Sequence, residues 1–539
     1  MSPARSHWQQ GGREGWLMLS NNGWPPQGFD INSHGYKDVI DPGHRRRRRN
    51  SSTSTQPSIH CLRTPLQSQT PETIFIVPTM APESHRSPYL RHRLGGWLPA
   101  DHEHLIKWTK KIVKKARDNP QPLNPTLQQF HDFIEGDPTV RQLFTLMFEQ
   151  VPAVPPYNQD PTGKPEIRSY DEMLQVFNTL MTMGPHWIYN TDGQKGLVGF
   201  PFNAVLDWPM GTAAGYSAFL RQDVNFQFRN MLSKWSEYLA SPDSVSVLST
   251  DPDGWFSEEA LKVMGQVASE ADPNHPVTFA QAFECDPSKP AYGYQSWDDF
   301  FTRKFKPEIR PIAYPNVDIV IGNACESTPY RISHNVKELD QFWIKDQPYS
   351  LRDMLGGDDY TDQFVGGTVY QAFLSATSYH RWHAPVSGKV AKVVHIPGTY
   401  YAENYWEGFA NPNVSIGPDP SAPNNSQGYI CEVATRALIF FETDDADIGM
   451  VGFVAVGMAE VSSCEVTVKE GQKVTRGDDI GMFHFGGSTH CLIFRPGTDI
   501  QFTPSEPFQD TNVPVCSALG VVVKPDQKNN DLQSILQGL

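Results

Sequence analysis

The feature that most constrains this chain is a change of hydrophobic period near residue 300. Before it, apolar residues recur at helical spacing. After it, short runs rich in β-branched and aromatic residues alternate with Gly, Pro and Asp turns. Two periods in separate blocks predict an α+β chain, a helical N-terminal domain followed by a mainly antiparallel β domain. In "DPTVRQLFTLMFEQV", Val140, Leu143, Phe144, Met147, Phe148 and Val151 share one helix face. In "SYDEMLQVFNTLM", Ser169 and Glu172 have the spacing of a capping box. A longer helix is expected through "VNFQFRNMLSKWSEYLA", with Val224, Phe228, Met231, Leu232, Trp235 and Leu239 as a core stripe rather than a cofactor box. Beyond "SWDDFFTRKFKPEIRPI", the segments "GKVAKVVHI", "ALIFF", "MVGFVAVGMAEVSSCEVTV" and "LGVVV" predict strands.

The expected divisions are a disordered tail at 1–90, a helical domain at 91–275 and a β domain at 276–539. The tail carries "SNNGWPPQG", "NSSTSTQPS" and the run Arg45 to Arg49, with no sustained period. The arginine run reads as a solvated segment rather than a targeting signal, and Met80 begins a stretch more like an ordinary protein start. A formal net charge of −15 argues against nucleic acid as the main partner. Seven scattered cysteines without a CxxC pair suit a reducing compartment, with neither a disulfide framework nor a metal site. No apolar run reaches the roughly 20 residues of a membrane span, and no secretory pattern opens the chain. A soluble, cytoplasmic protein is expected. Nothing in the sequence sets its oligomeric state.

The stretch "FHFGGSTHCLIF" interrupts two apolar β segments with Gly486, Gly487 and Ser488. A hydrolase elbow needs GxSxG between strand and helix, but His490 replaces the last glycine and "CLIF" continues as strand. A phosphate loop needs a lysine after the glycines, and none is there. A plain β-turn remains open. So does a third chemistry, in which Ser488 attacks the carbonyl exposed before it and the peptide becomes an ester. Elimination and hydrolysis then leave an N-terminal pyruvoyl group, a carbonyl cofactor that does the work of pyridoxal phosphate without it. For bases the chain offers His380 and His383 in "YHRWHAPVSG", which in extended chain would face opposite sides. For an acid it offers Glu326 in "GNACESTPY".

Taken in order, "SWDDFFTRKFKPEIRPI", "KDQPYSLRDML", "YHRWHAPVSGKV", "IPGTYYA" and "GDDIGMFHFGGST" resemble the pyruvoyl-dependent phosphatidylserine decarboxylase family from about residue 291 to the C-terminus. The resemblance implies self-cleavage between Gly487 and Ser488, giving a small chain of residues 488–539 that begins with the pyruvoyl group. It assigns His383 to self-cleavage and His380 to the decarboxylation step. It also aligns Cys325 and Glu326 where family members commonly have Asp-Gly, with Glu326 as the processing acid. "AGYSAFLRQDVNFQFRNMLSKW" and "CDPSKPAYGYQSWDDFF" are similar to the fungal branch that includes the L-tryptophan decarboxylase of psilocybin biosynthesis. The implied activity is decarboxylation of a free, tryptophan-like L-amino acid through a Schiff base to the Ser488-derived pyruvoyl group. One alternative is phosphatidylserine, converted to phosphatidylethanolamine at a membrane surface. Another is a non-catalytic scaffold that does not process itself.

Overall fold

The computed structural model describes residues 102–523, apart from 156, 159–163, 188–196, 271–273, 341–347, 406–407, 410–425, 461–462, 505–507 and 509–510. The expected tail at 1–90 lies outside them. Helices α1 (His102–Asp118), α2 (Pro125–Gly136), α3 (Pro138–Glu149), α4 (Tyr170–Leu180), α5 (Pro201–Met210), α6 (Ala213–Phe219), α7 (Gln222–Leu239) and α8 (Glu258–Ser269) fill the first half. They start where the local chemistry favours it. The Asp137 side chain accepts from the Thr139 and Val140 N–H groups, and Pro138 follows at the first helical position. Helix α3 buries Val140, Phe144, Met147 and Phe148, while α7 buries all six residues of its expected stripe. The capping box on α4 forms only by half. Ser169 Oγ accepts the Glu172 N–H at 3.2 Å, but Glu172 Oε2 turns to the Arg168 N–H at 3.0 Å and Oε1 pairs with Arg117. The nearby guanidinium outcompetes the Ser169 backbone for that carboxylate.

Short helices α9 (Phe279–Ala282) and α10 (Trp297–Phe301) lead into the β region, which also holds α11 (Leu351–Met354) and α12 (Gln427–Val433). Its strands are β1 (Val320–Gly322), β2 (Thr328–His334), β3 (Thr368–Leu374), β4 (Arg381–His383), β5 (Gly388–Ile396), β6 (Arg436–Thr443), β7 (Met450–Met458), β8 (Cys464–Val466), β9 (Lys473–Val474), β10 (Asp479–Phe483), β11 (Gly487–Phe494), β12 (Ile500–Phe502) and β13 (Ala518–Val522). Seven make the main sheet in the order β2-β3-β11-β7-β6-β5-β9, and every ladder between them is antiparallel. Smaller sheets run β4-β10-β8 and β1-β13-β12.

Both faces of the main sheet are covered, so its inner strands are continuous apolar runs rather than alternating ones. Helix α12 covers one face, where Cys431 and Cys491 bring their sulfurs to 3.6 Å. Strand β4 covers the other, with the Trp382 ring 5.5 Å from Phe453. The helices join the same core: Phe202 of α5 packs on Trp235 at 4.9 Å, and Trp235 on Phe485 at 5.0 Å. Among the described residues, no helix is long and apolar enough to cross a membrane. The six cysteines among them are free thiols.

Candidate active site

Between β10 and β11 the chain leaves a small sheet and enters the main one through His484, Phe485 and Gly486. That corner needs a backbone angle side chains resist, and Gly486 supplies it with φ +131°. Strand β11 begins at once. Gly487 pairs with Met458, and Ser488 pairs with Gly457 on β7 and Leu374 on β3. Ser488 is fully buried, and its Oγ has no hydrogen-bond partner among the described residues. A buried hydroxyl without a partner is costly, so its presence at the head of a central strand calls for a chemical reason.

The flanking residues alternate. Thr489 points away from Ser488, its Oγ1 donating to the Ala372 carbonyl at 2.8 Å and accepting from Gln371 Nε2 at 3.0 Å. His490 returns to the Ser488 side, buried between Tyr370 and Phe453 at 6.1 and 6.0 Å. Neither ring nitrogen of His490 is hydrogen-bonded among the described residues, and burial pushes its pKa down to about 3, so the ring is neutral. His490 is a residue that sequence reasoning passed over. Its offset of two from Ser488 within a strand was the available signal.

His380 sits near this end of β11. Its ring stacks on Phe301 at 4.2 Å, and Phe301 packs on Phe485 of the corner at 5.5 Å. The His380 carbonyl accepts the Phe483 N–H at 2.9 Å. The backbone of Ser375 and Ala376 lies against the ring, directly after Leu374, the partner of Ser488. Burial first, then the Arg303 guanidinium, holds its pKa well below the ordinary histidine value.

His383 has different neighbours. Its Nδ1 lies 2.7 Å from the Gly477 carbonyl, and its Nε2 lies 3.0 Å from the Tyr379 hydroxyl. Since a carbonyl only accepts, Nδ1 carries the proton and Nε2 takes the tyrosine hydrogen. Burial lowers the His383 pKa too. Both ring nitrogens are therefore engaged elsewhere than on Ser488.

Glu326 is buried and grips Arg310 through both oxygens, at 2.9 Å to Nε and 2.6 Å to Nη2. Its Oε2 also accepts the Val515 N–H at 2.9 Å. No histidine reaches it among the hydrogen bonds of the described residues. The segment around it does lie beside β4, where the Ala324 carbonyl accepts the His383 N–H at 2.8 Å.

His484 opens the corner. Its Nδ1 contacts Asp298 at 2.9 and 3.1 Å and its Nε2 contacts Glu465 at 2.7 Å. Burial alone would lower its pKa, but the two carboxylates raise it to about 9 and keep the ring charged at neutral pH. Among the described residues, no cluster of His, Cys, Asp and Glu is arranged to hold a metal ion.

Two family profiles, both described as phosphatidylserine decarboxylase, match residues 124–264 and 297–513. The chain is 36 % identical to the L-tryptophan decarboxylase of Psilocybe cubensis over 412 residues, covering 74 % of this chain and 88 % of that protein. It is 39 % identical to the L-tryptophan decarboxylase of Psilocybe cyanescens over 413 residues, with the same coverage. It is 43 % identical to the decarboxylase iboD of Amanita muscaria (strain Koide BX008) over 308 residues, 56 % of this chain and 86 % of that protein.

Proposed function

Because the chain belongs to the phosphatidylserine decarboxylase family, we propose that it is a decarboxylase that processes itself at Ser488 and acts on a free, tryptophan-like L-amino acid. The observation that carries this reading is Ser488 itself: buried, with an unpartnered Oγ, directly behind Gly486 and Gly487 at the head of a central strand.

In the self-processing step, Ser488 Oγ adds to the Gly487 carbonyl carbon and the peptide becomes an ester, freeing the Ser488 amine. Loss of the Ser488 α-proton expels the Gly487 carboxylate and leaves a dehydroalanine. Water then enters, ammonia leaves, and the new N-terminus is a pyruvoyl ketone. That ketone supplies an electron sink for the breaking carbon–carbon bond. The site fits such a group, since Ser488 is enclosed at the head of β11 and His490 on the same side of the strand is neutral.

In this reading His380, held neutral by burial, exchanges a proton at the substrate α-carbon. His383 keeps its proton on Nδ1, so Nε2 is its basic nitrogen, and assisting the cleavage requires it to release Tyr379. Glu326 holds the 323–327 segment in register beside β4 through Arg310 and Val515.

The two Psilocybe relatives align along the helical region as well as the β region, which supports an amino-acid substrate over a lipid. A water-soluble substrate in a reducing compartment also suits six free thiols. The test is CO₂ release by purified protein from L-tryptophan and, separately, from phosphatidylserine vesicles. Turnover of the amino acid is expected. Turnover of the lipid alone contradicts the reading.

A further inference from the structure

Glu460 lies two residues beyond Met458, the β7 partner of Gly487, and reaches into the helical region. Its Oε1 accepts the backbone N–H groups of Phe202 at 2.6 Å and Asn203 at 2.9 Å. It thereby caps α5, whose own N-cap residue Phe200 contributes no side-chain hydrogen bond. The other oxygen, Oε2, is buried and has no partner among the described residues.

Two neighbours share that condition. Asn203 is wholly buried, and among the described residues neither its Oδ1 nor its Nδ2 has a partner, nor does the Tyr401 hydroxyl. Tyr401 belongs to the same place, because the Ala459 N–H donates to the Tyr400 carbonyl at 3.0 Å and sets the two chains side by side. The contacts from Phe202 to Trp235 and from Trp235 to Phe485 connect this group to the corner before Ser488. Buried polar atoms in native proteins nearly always have partners. Four without one, at one end of the candidate catalytic strand, mark a place for a hydrogen-bonding guest.

Resting on the amino-acid reading above, we infer that Asn203, Tyr401 and Glu460 form the subsite for the substrate side chain, selecting an aromatic ring that carries an N–H or O–H donor. Burial raises the Glu460 pKa to about 8, so at neutral pH its carboxyl keeps a proton and can both donate and accept. Asp207, one helical turn after Asn203 and also buried, adds a further carboxyl to the same helix face. These groups suit a ring donor and supply no cation to hold the substrate α-carboxylate, which leaves that group to the Ser488 end.

The test compares kcat/KM for L-tryptophan with that for its benzothiophene isostere, in which sulfur replaces the ring N–H. Wild-type enzyme, Asn203→Leu, Tyr401→Phe and Glu460→Gln are assayed after a denaturing gel confirms chain cleavage in each. A subsite built for the donor gives wild type a preference of about tenfold or more for tryptophan. Tyr401→Phe removes one oxygen only, so it guards against a variant that fails to fold. It and Asn203→Leu each bring the preference toward unity. An unchanged preference in the cleaved variants, or none in wild type, shows that water alone occupies the place and overturns the inference. If wild type decarboxylates no amino acid at all, the proposed function falls and takes the subsite with it.

Discussion

The Tyr379 hydroxyl and His383 Nε2 stand 3.0 Å apart, so the nitrogen that could serve as a base already accepts a hydrogen bond. If that nitrogen assists self-cleavage, His383→Ala slows the appearance of two chains, and Tyr379→Phe, which removes the competing donor, hastens it. His380→Ala still cleaves but loses about 100-fold or more in turnover. A gel time course and a CO₂ assay on the same preparations separate the two roles. Cleavage of His383→Ala at the wild-type rate contradicts the assignment.

The ion pair between Glu326 and Arg310 is buried, with the two side chains 1 % and 8 % exposed. Removing one partner strands a charge, so Arg310→Met is expected to cost about 3–5 kcal/mol. Urea denaturation in a Ser488→Ala background, where the chain stays whole, measures it. The double change Arg310→Met with Glu326→Gln recovers most of the loss, because no buried charge is then left alone.

His484 should give the fold a pH dependence on the alkaline side. Its folded pKa of about 9 lies above the ordinary histidine value of 6.5. The stability from its contacts with Asp298 and Glu465 is therefore fully present below about pH 6.5 and lost as pH rises through 9. Thermal melts between pH 7 and 10 should fall by a few degrees more in wild type than in His484→Gln. Parallel curves would remove His484 from the account.

After cleavage at Ser488, the small chain keeps its place. It would hold β11, inserted between β3 and β7, together with β12 and β13, the latter paired with β1. Its Val515 N–H also bonds Glu326. Gel filtration without denaturant should give one peak containing both chains. Separation of the small chain under those conditions would conflict with this topology.

What could be read from sequence followed locality. The α3 and α7 stripes were legible because a helix repeats every three to four residues within one segment, and Ser488 stood out by its two preceding glycines. Pairings across long separations left no trace. Arg310 holds Glu326, which the resemblance gives as the processing acid, and Glu460 caps a helix more than 250 residues away. The half-formed box at Ser169 failed for the same reason, since Arg117 arrives from another helix.

The most direct measurement is the intact mass of the recombinant protein and of its Ser488→Ala variant. The account predicts two wild-type chains, one ending at Gly487 and one spanning 488–539 that is lighter by one ammonia than the serine-initiated peptide, and a single uncut, inactive variant. An active wild-type preparation at the mass of one whole chain, with Ser488 intact, would contradict it.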